Sequence, residues 1–362
     1  MQNKILIIGS FPPPISGVSI ANKVIRDGLI RYRWKVSTIN SEYSENITNE
    51  HGKISFQKFY FLRTYFEIGK VFFSDIIYIS IGQSFFGVLK YFPFIFFAKL
   101  IRKKLVVHLH GNHLLNEYNL LKGFKKIIFA KIISMFDYGI VLSKSLRNNF
   151  EPFLKKEAIF ELNNFFEKSL SVPIEDLQSQ KKYSELRVVF LSNLIAEKGI
   201  NVLLEAVKIL KEKGIIIQLK VAGNDIKENN LSNYFNTLDN VKYLGVIHGM
   251  EKKKLLLWGN VFCLPTFYKM EGQPISILEA MAMGNLILTT DHAGIMDVCK
   301  SENAVFCKKE SVQDLAEKLE ELAGNIHVIR QKGLYNAAYA QASFTEEMFI
   351  DNADKILTEC IN

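Results

Sequence analysis

The sequence predicts an α/β fold of two doubly wound domains that face each other across a cleft. Short runs rich in Ile, Val and Leu alternate with longer amphipathic stretches along almost the whole chain, a pattern typical of parallel sheets covered by helices. A polar stretch at residues 166–186 interrupts this alternation, which then starts again. At 362 residues the chain is also long for a single core, so its length favours two domains as well.

The predicted elements divide the chain into four parts. Residues 1–165 form the first domain, 166–186 a linker and 187–335 the second domain. The chain from about residue 311 has a helical pattern and offers no strand, so we expect residues 336–362 to cross back and brace the first domain. The predicted strands are residues 4–10, 35–40, 75–82, 104–111, 137–143, 158–165, 187–193, 215–223, 241–246, 261–266, 286–290 and 303–307.

The chain is basic, with a formal net charge of +8, and the excess lies in its first half. Residues 1–180 hold 24 Lys and Arg against 14 Asp and Glu, whereas residues 181–362 hold 21 against 23. The basic residues alternate with Phe and Tyr at residues 53–73 and 89–104. This composition favours peripheral contact with an anionic membrane; the alternative is that the aromatic side chains face the core. No nucleic-acid-binding signature accompanies the charge, so we expect no nucleic-acid partner.

Other features of the composition indicate a cytoplasmic protein. The four cysteines have no regular spacing, which is typical of reduced thiols. The apolar run at the amino terminus ends at Gly9 without a cleavage-site pattern, so it predicts a first strand and not a signal peptide. Since no apolar segment approaches the length of a membrane span, we expect at most a peripheral position at the inner face of the plasma membrane.

Residues 261–290 predict a strand, a loop, a helix and a second strand. Gly272 and Pro274 stand just before the helix, where a proline costs little. The amino end of this helix would lie beyond the carboxyl ends of the strands, and its free N–H groups favour a phosphate. Glu271 precedes it and Glu279 follows one turn inside it. Because carboxylates accept hydrogen bonds from hydroxyl groups, the pair suits a sugar and a ribose on either side of a diphosphate.

A second interpretation of Glu279 stays open at this point. Ser276 and Glu279 have the spacing of a capping box, in which the glutamate only accepts a backbone N–H at the helix start. In that case the carboxylate would be structural and would bind no ligand.

The run EGQPISILEAMAMGNLILTTDHAG, residues 271–294, resembles the E-x7-E signature of the GT4 family of retaining glycosyltransferases, which have the GT-B fold. Four more segments resemble motifs of that family in the same order. They are a glycine loop at 9–20, the strand end His-Leu-His-Gly at 108–111, a Lys-Gly segment at 190–207 and a turn at 243–246. The resemblance extends over nearly the whole chain and implies two Rossmann-like domains of GT-B architecture.

The resemblance also implies roles for single residues. Glu271 would contact the donor sugar, Glu279 the ribose, and Lys198 the phosphate charge that develops as the nucleotide leaves. His110 would lie near the reacting carbon, and of His108 and His110 we expect only the second to point into the cleft. The predicted catalytic residues are His110, Lys198 and Glu271. The predicted donor-binding residues are Gly17, Asn193, Lys198, Gly272, Gln273, Pro274, Ile275 and Glu279.

The chain departs from the family pattern beside the Lys-Gly segment. Asn193 stands at the usual arginine and Ser192 at the usual glycine, so one of two phosphate cations is missing. Lys198 would then act alone unless a residue such as Lys269 contributes. No Asp-x-Asp sequence occurs, which favours a mechanism without a metal, and we expect no other cofactor.

The sequence thus predicts a retaining hexosyl- or N-acetylhexosaminyltransferase. Its donor would be a nucleotide-diphosphate sugar, with a UDP-sugar preferred, and its acceptor a saccharide or lipid-linked saccharide in surface polysaccharide biosynthesis. Two alternatives stay open. A GT-B-fold nucleotide-sugar epimerase would need acid and base carboxylates at the reacting carbon and no acceptor. A catalytically silent GT-B scaffold subunit of a polysaccharide assembly complex is compatible with Asn193.

Overall fold

The computed structural model describes residues 2–42, 61–225 and 231–362. The chain forms two compact units. One comprises Met1–Asn164, Met270–Gln273 and Glu347–Asn362, and the other comprises Phe165–Lys269 and Pro274–Glu346. Within the described ranges, no helix is both long and apolar enough to cross a membrane.

The described residues of the first unit contain a sheet of six parallel strands in the order β2-β1-β3-β4-β5-β6. Its strands are apolar on both sides, because helices cover both faces of a parallel sheet. Residues 5–8 and 76–79, for example, are fully buried. The strands are β1 (Lys4–Gly9), β2 (Lys35–Asn40), β3 (Ile76–Ser80), β4 (Lys104–Leu109), β5 (Tyr138–Val141) and β6 (Ile159–Glu161).

The helices of the first unit lie on the two faces of this sheet. The connection from β1 to β2 runs in one direction along the sheet, and the later connections run in the other. The right-handed crossover rule therefore places the helix after β1 on one face and the later helices on the opposite face. They are α1 (Gly17–Arg31), α2 (Phe85–Leu89), α3 (Phe92–Leu100), α4 (Leu114–Leu120) and α5 (Gly123–Ile133), with 3-10 helices at Phe61–Val71, Lys144–Asn149 and Lys156–Ala158.

The described part of the second unit contains another parallel sheet of six strands, in the order β12-β11-β10-β7-β8-β9. Strand β10 is near its centre and is fully buried. The strands are β7 (Arg187–Leu191), β8 (Gln218–Ala222), β9 (Val241–Tyr243), β10 (Val261–Leu264), β11 (Leu286–Thr289) and β12 (Ala304–Phe306).

Helices cover both faces of the second sheet, and residues 166–186, predicted as a linker, lie within this unit. Lys181 at the end of its first helix is buried and donates to the carbonyl oxygens of Leu256 and Gly259 and to Oδ1 of Asn285. The helices are α6 (Ile174–Gln180), α7 (Ile200–Glu212), α8 (Ser232–Thr237), α9 (Gly249–Trp258), α10 (Ile275–Ala282), α11 (Ile295–Val298), α12 (Val312–Ala323) and α13 (Ile326–Ser343), with 3-10 helices at Lys168–Leu170 and Ala196–Lys198.

The last helix, α14 (Glu346–Ile361), belongs to the first unit from Glu347 onward. It packs beside α1 so closely that a Cβ atom on Gly28 would lie 2.5 Å from Cγ2 of Ile350. Nε1 of Trp34 donates to Oδ1 of Asp354 at 2.6 Å. The end of the chain is thus part of the core of the unit that its beginning forms.

The predicted α/β class is confirmed, because every predicted strand forms and both sheets are parallel. Most observed strands end earlier than predicted. Ser10, which directly follows β1, and Ser143, two residues after the end of β5, have for example left the strand ladder at the carboxyl edge of the sheet. In a parallel sheet that edge is where ligands bind.

Candidate functional site

Helix α10 begins behind the loop that follows β10. Pro274 is its N-cap residue, and no side chain of the described residues caps the helix. Its first turn also contains no acidic residue, so the partial positive charge of the helix start is not offset there. Pro274 has no N–H, so it fixes the helix start without donating. The backbone donors among the predicted phosphate-binding residues are therefore Gly272, Gln273 and Ile275.

Glu279 lies one turn inside α10 and is buried beside a lysine. Nζ of Lys252, on α9, is 2.5 Å from Oε1 of Glu279 and 2.6 Å from Oε1 of Glu167. Burial raises the pKa of Glu279 to about 7, although Lys252 opposes that shift. Burial by itself would lower the pKa of Lys252, but the two carboxylates outweigh it and raise this pKa above its ordinary value. Lys252 is therefore a cation that fixes one oxygen of Glu279.

The capping-box interpretation of Glu279 is wrong. The helix starts at Ile275, so Ser276 lies inside its first turn and not at the N-cap position. The carboxylate is bound by Lys252 from a different helix. Sequence analysis missed Lys252, which stands in the charged run Glu251–Lys254 and shares one face of α9 with the buried Leu255 and Leu256.

Lys198, the predicted leaving-group cation, is held beside the loop that leads to α10. The N–H of Phe267 donates to the carbonyl oxygen of Glu197 at 2.8 Å, so the Lys-Gly segment and the loop share a backbone hydrogen bond. Nζ of Lys198 lies 5.0 Å from the centre of the Tyr268 ring. Lys198 and the loop thus pack together within the second unit.

Gly199 makes this close approach feasible. Its φ is +83°, and a Cβ atom there would lie 2.3 Å from the carbonyl oxygen of Pro265. Asn193 is exposed just after β7, and Lys269 is exposed in the loop itself. Of the two lysines, Lys198 is thus the one whose segment packs on the loop through a backbone hydrogen bond and Gly199.

His108 and His110 lie together at the carboxyl end of β4. Their ring centres are 3.9 Å apart, and the Tyr78 hydroxyl is hydrogen-bonded to Nδ1 of His108. The expectation that the two side chains lie on opposite faces is wrong, because residues two apart on a strand share a face. Burial lowers the pKa of His110 to about 4. Burial, and next the neighbouring His110, lower the pKa of His108 well below its ordinary value.

Both imidazoles are therefore neutral at pH 7. Within the described residues, Nε2 of His108 and Nε2 of His110 are buried without a hydrogen-bond partner. A neutral imidazole can donate or accept a hydrogen bond but carries no formal charge. His110 is thus suited to meet a polar group of a ligand and not to balance a phosphate.

Residues Met270–Gln273, at the start of the E-x7-E run, belong to the first unit. Gly272 packs on the backbone of His110, and a Cβ atom there would lie 2.6 Å from the carbonyl oxygen of His110. The N–H of Asn164 donates to Oε1 of Gln273 at 2.6 Å, and its Nδ2 donates to the carbonyl oxygen of Gln273 at 2.7 Å. Glu271 is buried next to Gly272, so two predicted catalytic residues, Glu271 and His110, share one region of the first unit.

More polar atoms without partners lie at the same edge of the first sheet. Oγ of Ser41, Oγ of Ser143 and Oδ1 of Asn164 are buried and have no partner among the described residues. These residues follow β2, β5 and β6 at their carboxyl ends, where the ligands of parallel sheets bind. Gly17 opens α1 behind β1 at this edge, within a helix start fixed by a capping box.

The two units offer different chemistry. The second unit supplies the uncapped start of α10, a cation at Lys198 and a buried carboxyl group at Glu279. The first supplies a neutral imidazole at His110 and the carboxylate of Glu271. No group of three His, Cys, Asp or Glu side chains within residues 2–42, 61–225 and 231–362 is arranged to hold a metal ion. The mechanism without a metal stays a prediction.

Comparison with known proteins adds sequence relatives. The family model described as Glycosyl transferases group 1 matches residues 173–339. Over 142 residues the chain is 29% identical to the putative colanic acid biosynthesis glycosyltransferase WcaL of Escherichia coli, a match that covers 37% of this chain and 35% of that protein. Over 192 residues it is 26% identical to N,N'-diacetylbacillosaminyl-diphospho-undecaprenol alpha-1,3-N-acetylgalactosaminyltransferase of Campylobacter jejuni, which covers 53% of this chain and 47% of that protein. The chain spans about a third of the length of the first curated relatives it matches.

Comparison with solved structures confirms the fold. The crystal structure of Anabaena Alr3699/HepE in complex with UDP and glucose matches with a TM-score of 0.73 at 16% identity, over 99% of this chain and 100% of that one. This likeness confirms the predicted GT-B architecture. Residues 173–339 thus match the group 1 glycosyl transferases, and the chain has the GT-B fold of such enzymes.

Proposed function

We propose that the chain is a retaining glycosyltransferase that moves a hexosyl or N-acetylhexosaminyl group from a nucleotide-diphosphate sugar to an acceptor hydroxyl. The observation that carries the proposal is the uncapped start of α10, with Lys198 beside the loop in front of it and Glu279 fixed by Lys252 one turn inside it. Together these residues provide an anion site, a cation and a carboxylate that can accept hydrogen bonds from hydroxyl groups. All three belong to the second unit.

In this proposal the second unit binds the nucleotide. The N–H groups at the start of α10 and the Lys198 ammonium hold the diphosphate, because both favour negative charge. Oε1 of Glu279 is bound by Lys252, so we assign Oε2 to the ribose hydroxyls. UDP in the complex of the structural relative supports a uridine nucleotide.

The first unit acts on the sugar and the acceptor. Glu271 accepts hydrogen bonds from sugar hydroxyls, and Nε2 of the neutral His110 meets a polar group near the reacting carbon. The name of the Campylobacter relative, which includes diphospho-undecaprenol, supports a lipid-linked saccharide as acceptor. The name of WcaL, a putative colanic acid biosynthesis glycosyltransferase, supports a role in polysaccharide biosynthesis.

The reaction breaks the bond between the anomeric carbon and the diphosphate oxygen. The acceptor oxygen forms its bond to that carbon on the same face, and the acceptor proton passes to the leaving diphosphate. Negative charge grows on the diphosphate as the bond breaks, so Lys198 and the start of α10 stabilise the transition state more than the bound donor. No carboxylate needs to act as a nucleophile in this scheme.

The experiment has two stages. Thermal stability is first measured with UDP, GDP and ADP for the unmodified protein, Glu279→Gln and the control Glu251→Gln, which changes an exposed glutamate on α9. A nucleotide at a hundred times its dissociation constant stabilises by about 2.7 kcal/mol. We expect this shift with UDP, its loss in Glu279→Gln and its retention in the control.

The second stage follows nucleotide release and sugar transfer from UDP-glucose, UDP-galactose and their N-acetyl forms to a lipid-linked saccharide. Glu271→Ala should reduce turnover by about a hundredfold or more, since it removes a group that contacts the reacting sugar. NMR of the product then assigns its anomeric configuration. Sugar epimerised without an acceptor would support the epimerase, and UDP binding without turnover would support the scaffold; an inverted product would contradict retention.

A further inference from the structure

We infer that the sheet face of the first unit that carries α2 to α5 docks on an anionic membrane. The 3-10 helix Phe61–Val71 and α2 to α5 lie on connections that run in the same direction along the sheet, so they cover the same face. Within this layer α2 packs on α5, and α3 packs on the 3-10 helix. We call their outward surface the docking face.

The aromatic residues of these helices divide into two sets. Tyr91, Phe94 and Phe129 are fully buried and form the core beneath the layer. Phe66, Phe86 and Phe124 point outward and are at least 70% exposed. The interpretation that the aromatic residues face the core therefore holds for the first set only. Residues 53–60 of the predicted basic and aromatic stretch lie outside the described residues.

The exposed apolar side chains occur on every part of the layer. An isolated exposed apolar side chain is ordinary, but several on one face mark an interaction surface. Besides the three phenylalanines, Phe73, Leu100 and Leu120 are each at least 65% exposed.

The helices of this layer are strongly basic. Residues 61–73, 85–103 and 114–133 contain ten Lys and Arg against two Asp and Glu, an excess as large as the net charge of the whole chain. Lys125 and Lys126 lie over the rings of Phe85 and Tyr118. Lys125 also directly follows the exposed Phe124 in α5, so exposed cations and exposed apolar side chains occur on the same helix.

This combination identifies the partner as a bilayer that contains anionic lipid. Phenylalanine and leucine side chains gain by inserting at the boundary of the acyl chains, and lysines gain from anionic headgroups. A bilayer can accept apolar side chains that are spread over a layer of helices, because its surface is soft and laterally continuous. An acidic protein partner would match the charge but would need a separate pocket for each protruding ring.

The inference is tested by flotation with phosphatidylcholine vesicles that do or do not contain phosphatidylglycerol, at low and high salt. Three proteins accompany the unmodified chain. One carries Phe66→Ser, Phe86→Ser and Phe124→Ser; a second carries Lys122→Gln, Lys125→Gln and Lys131→Gln. The matched control carries Ile216→Ser and Met250→Ser, at positions of the second unit that are 67% and 65% exposed. Melting temperature and light-scattering mass are measured for each protein without lipid.

We expect the unmodified chain and the control to float with phosphatidylglycerol vesicles and not with phosphatidylcholine alone. Each triple variant should bind about tenfold more weakly at an unchanged melting temperature, and high salt should weaken the unmodified chain. Equal flotation of all four proteins, or none with phosphatidylglycerol, would overturn the inference. So would a dimer that only the serine variant dissociates, because the face would then join two copies of the chain.

Discussion

Lys252 on α9 and Glu279 on α10 form a buried ion pair with an Nζ to Oε1 distance of 2.5 Å, and Glu167 binds the same ammonium. When Glu279 is ionised, two carboxylates share one cation, and the group as a whole is then negative. Because burial raises the pKa of Glu279 to about 7, the ionisation of this residue depends on Lys252 remaining in place. The ion pair links Glu279, which is predicted to accept hydrogen bonds from the ribose, to α9, a helix that contains none of the predicted site residues.

The first prediction concerns Lys252→Met. Loss of the cation raises the pKa of Glu279 further, so the carboxyl is protonated at pH 7 and UDP binds about tenfold more weakly. In the unmodified protein UDP affinity rises with pH through about 7, and in the variant the rise moves to higher pH. Titration calorimetry at several pH values measures both.

Three further proteins isolate the cause. Lys254→Met changes an exposed lysine on the same helix and should leave affinity unchanged. Lys252→Arg keeps the positive charge, so its UDP affinity should depend on pH as in the unmodified protein. Glu279→Gln should lose the part of the pH dependence that does not come from the diphosphate itself. If Lys252→Met keeps the midpoint of the unmodified protein, Lys252 does not control Glu279.

The second prediction separates the two candidate phosphate cations. Lys198→Ala should lower kcat by about two to three orders of magnitude, because the ammonium stabilises charge that appears mainly in the transition state. Lys269→Ala should change kcat by less than about threefold, since its side chain is exposed. Steady-state kinetics with a UDP-sugar and acceptor give both values. A larger loss for Lys269→Ala would exchange the two assignments.

The third prediction concerns Gly272→Ala. The added methyl group would meet the carbonyl oxygen of His110 at 2.6 Å, and a backbone atom cannot rotate away. The loop must shift, at a cost of about 1 to 3 kcal/mol, and turnover should fall because Glu271 moves with it. Gly69→Ala is the control, since a Cβ atom at Gly69 would meet no atom within 4 Å. Urea unfolding and kinetics on both variants test this, and equal values for the two would contradict it.

The fourth prediction concerns the pH dependence of stability. Burial lowers the pKa of Lys181 to about 7, whereas in the unfolded chain it is near its ordinary 10.5. Between these values the unfolded chain binds more protons, so the free energy of unfolding should rise as pH rises from 7 toward 10.5. Below pH 7 both states are protonated and this contribution is flat.

Lys181→Met should remove that rise, and Lys182→Met, which changes the exposed neighbour, should keep it. Urea unfolding of the three proteins across this pH range provides the comparison. A rise of the same size in Lys181→Met would show that other groups cause it.

The fold was predictable because its strands are short apolar runs buried on both faces, and such runs stand out between amphipathic helices. Residues 261–290 show this best: strand, loop, helix and strand appear as predicted, and Gly284 has the positive φ of +69° that ends a helix. Local pattern alone was enough for these elements.

What local pattern could not supply are pairings between distant residues. Lys252 and Glu279 are 27 positions apart and Asn164 and Gln273 are 109 apart, so no spacing rule connects them. The net charge of each half of the sequence was enough to identify the first unit as the basic one. Which of its aromatic side chains are exposed and which are buried could be seen only in the structure. The expectation that His108 and His110 lie on opposite faces failed for a simpler reason, because two positions along a strand return to the same side.

The packing of Ile350 against Gly28 has a consequence for the order of synthesis. Residues 347–362 complete the first unit, yet they are translated after every strand of the second. On the ribosome the second unit can form its sheet while the first unit still lacks α14, the helix that covers α1. Until that helix arrives, the surface around Gly28 is open to water, and a nascent chain halted before residue 347 would present it to chaperones.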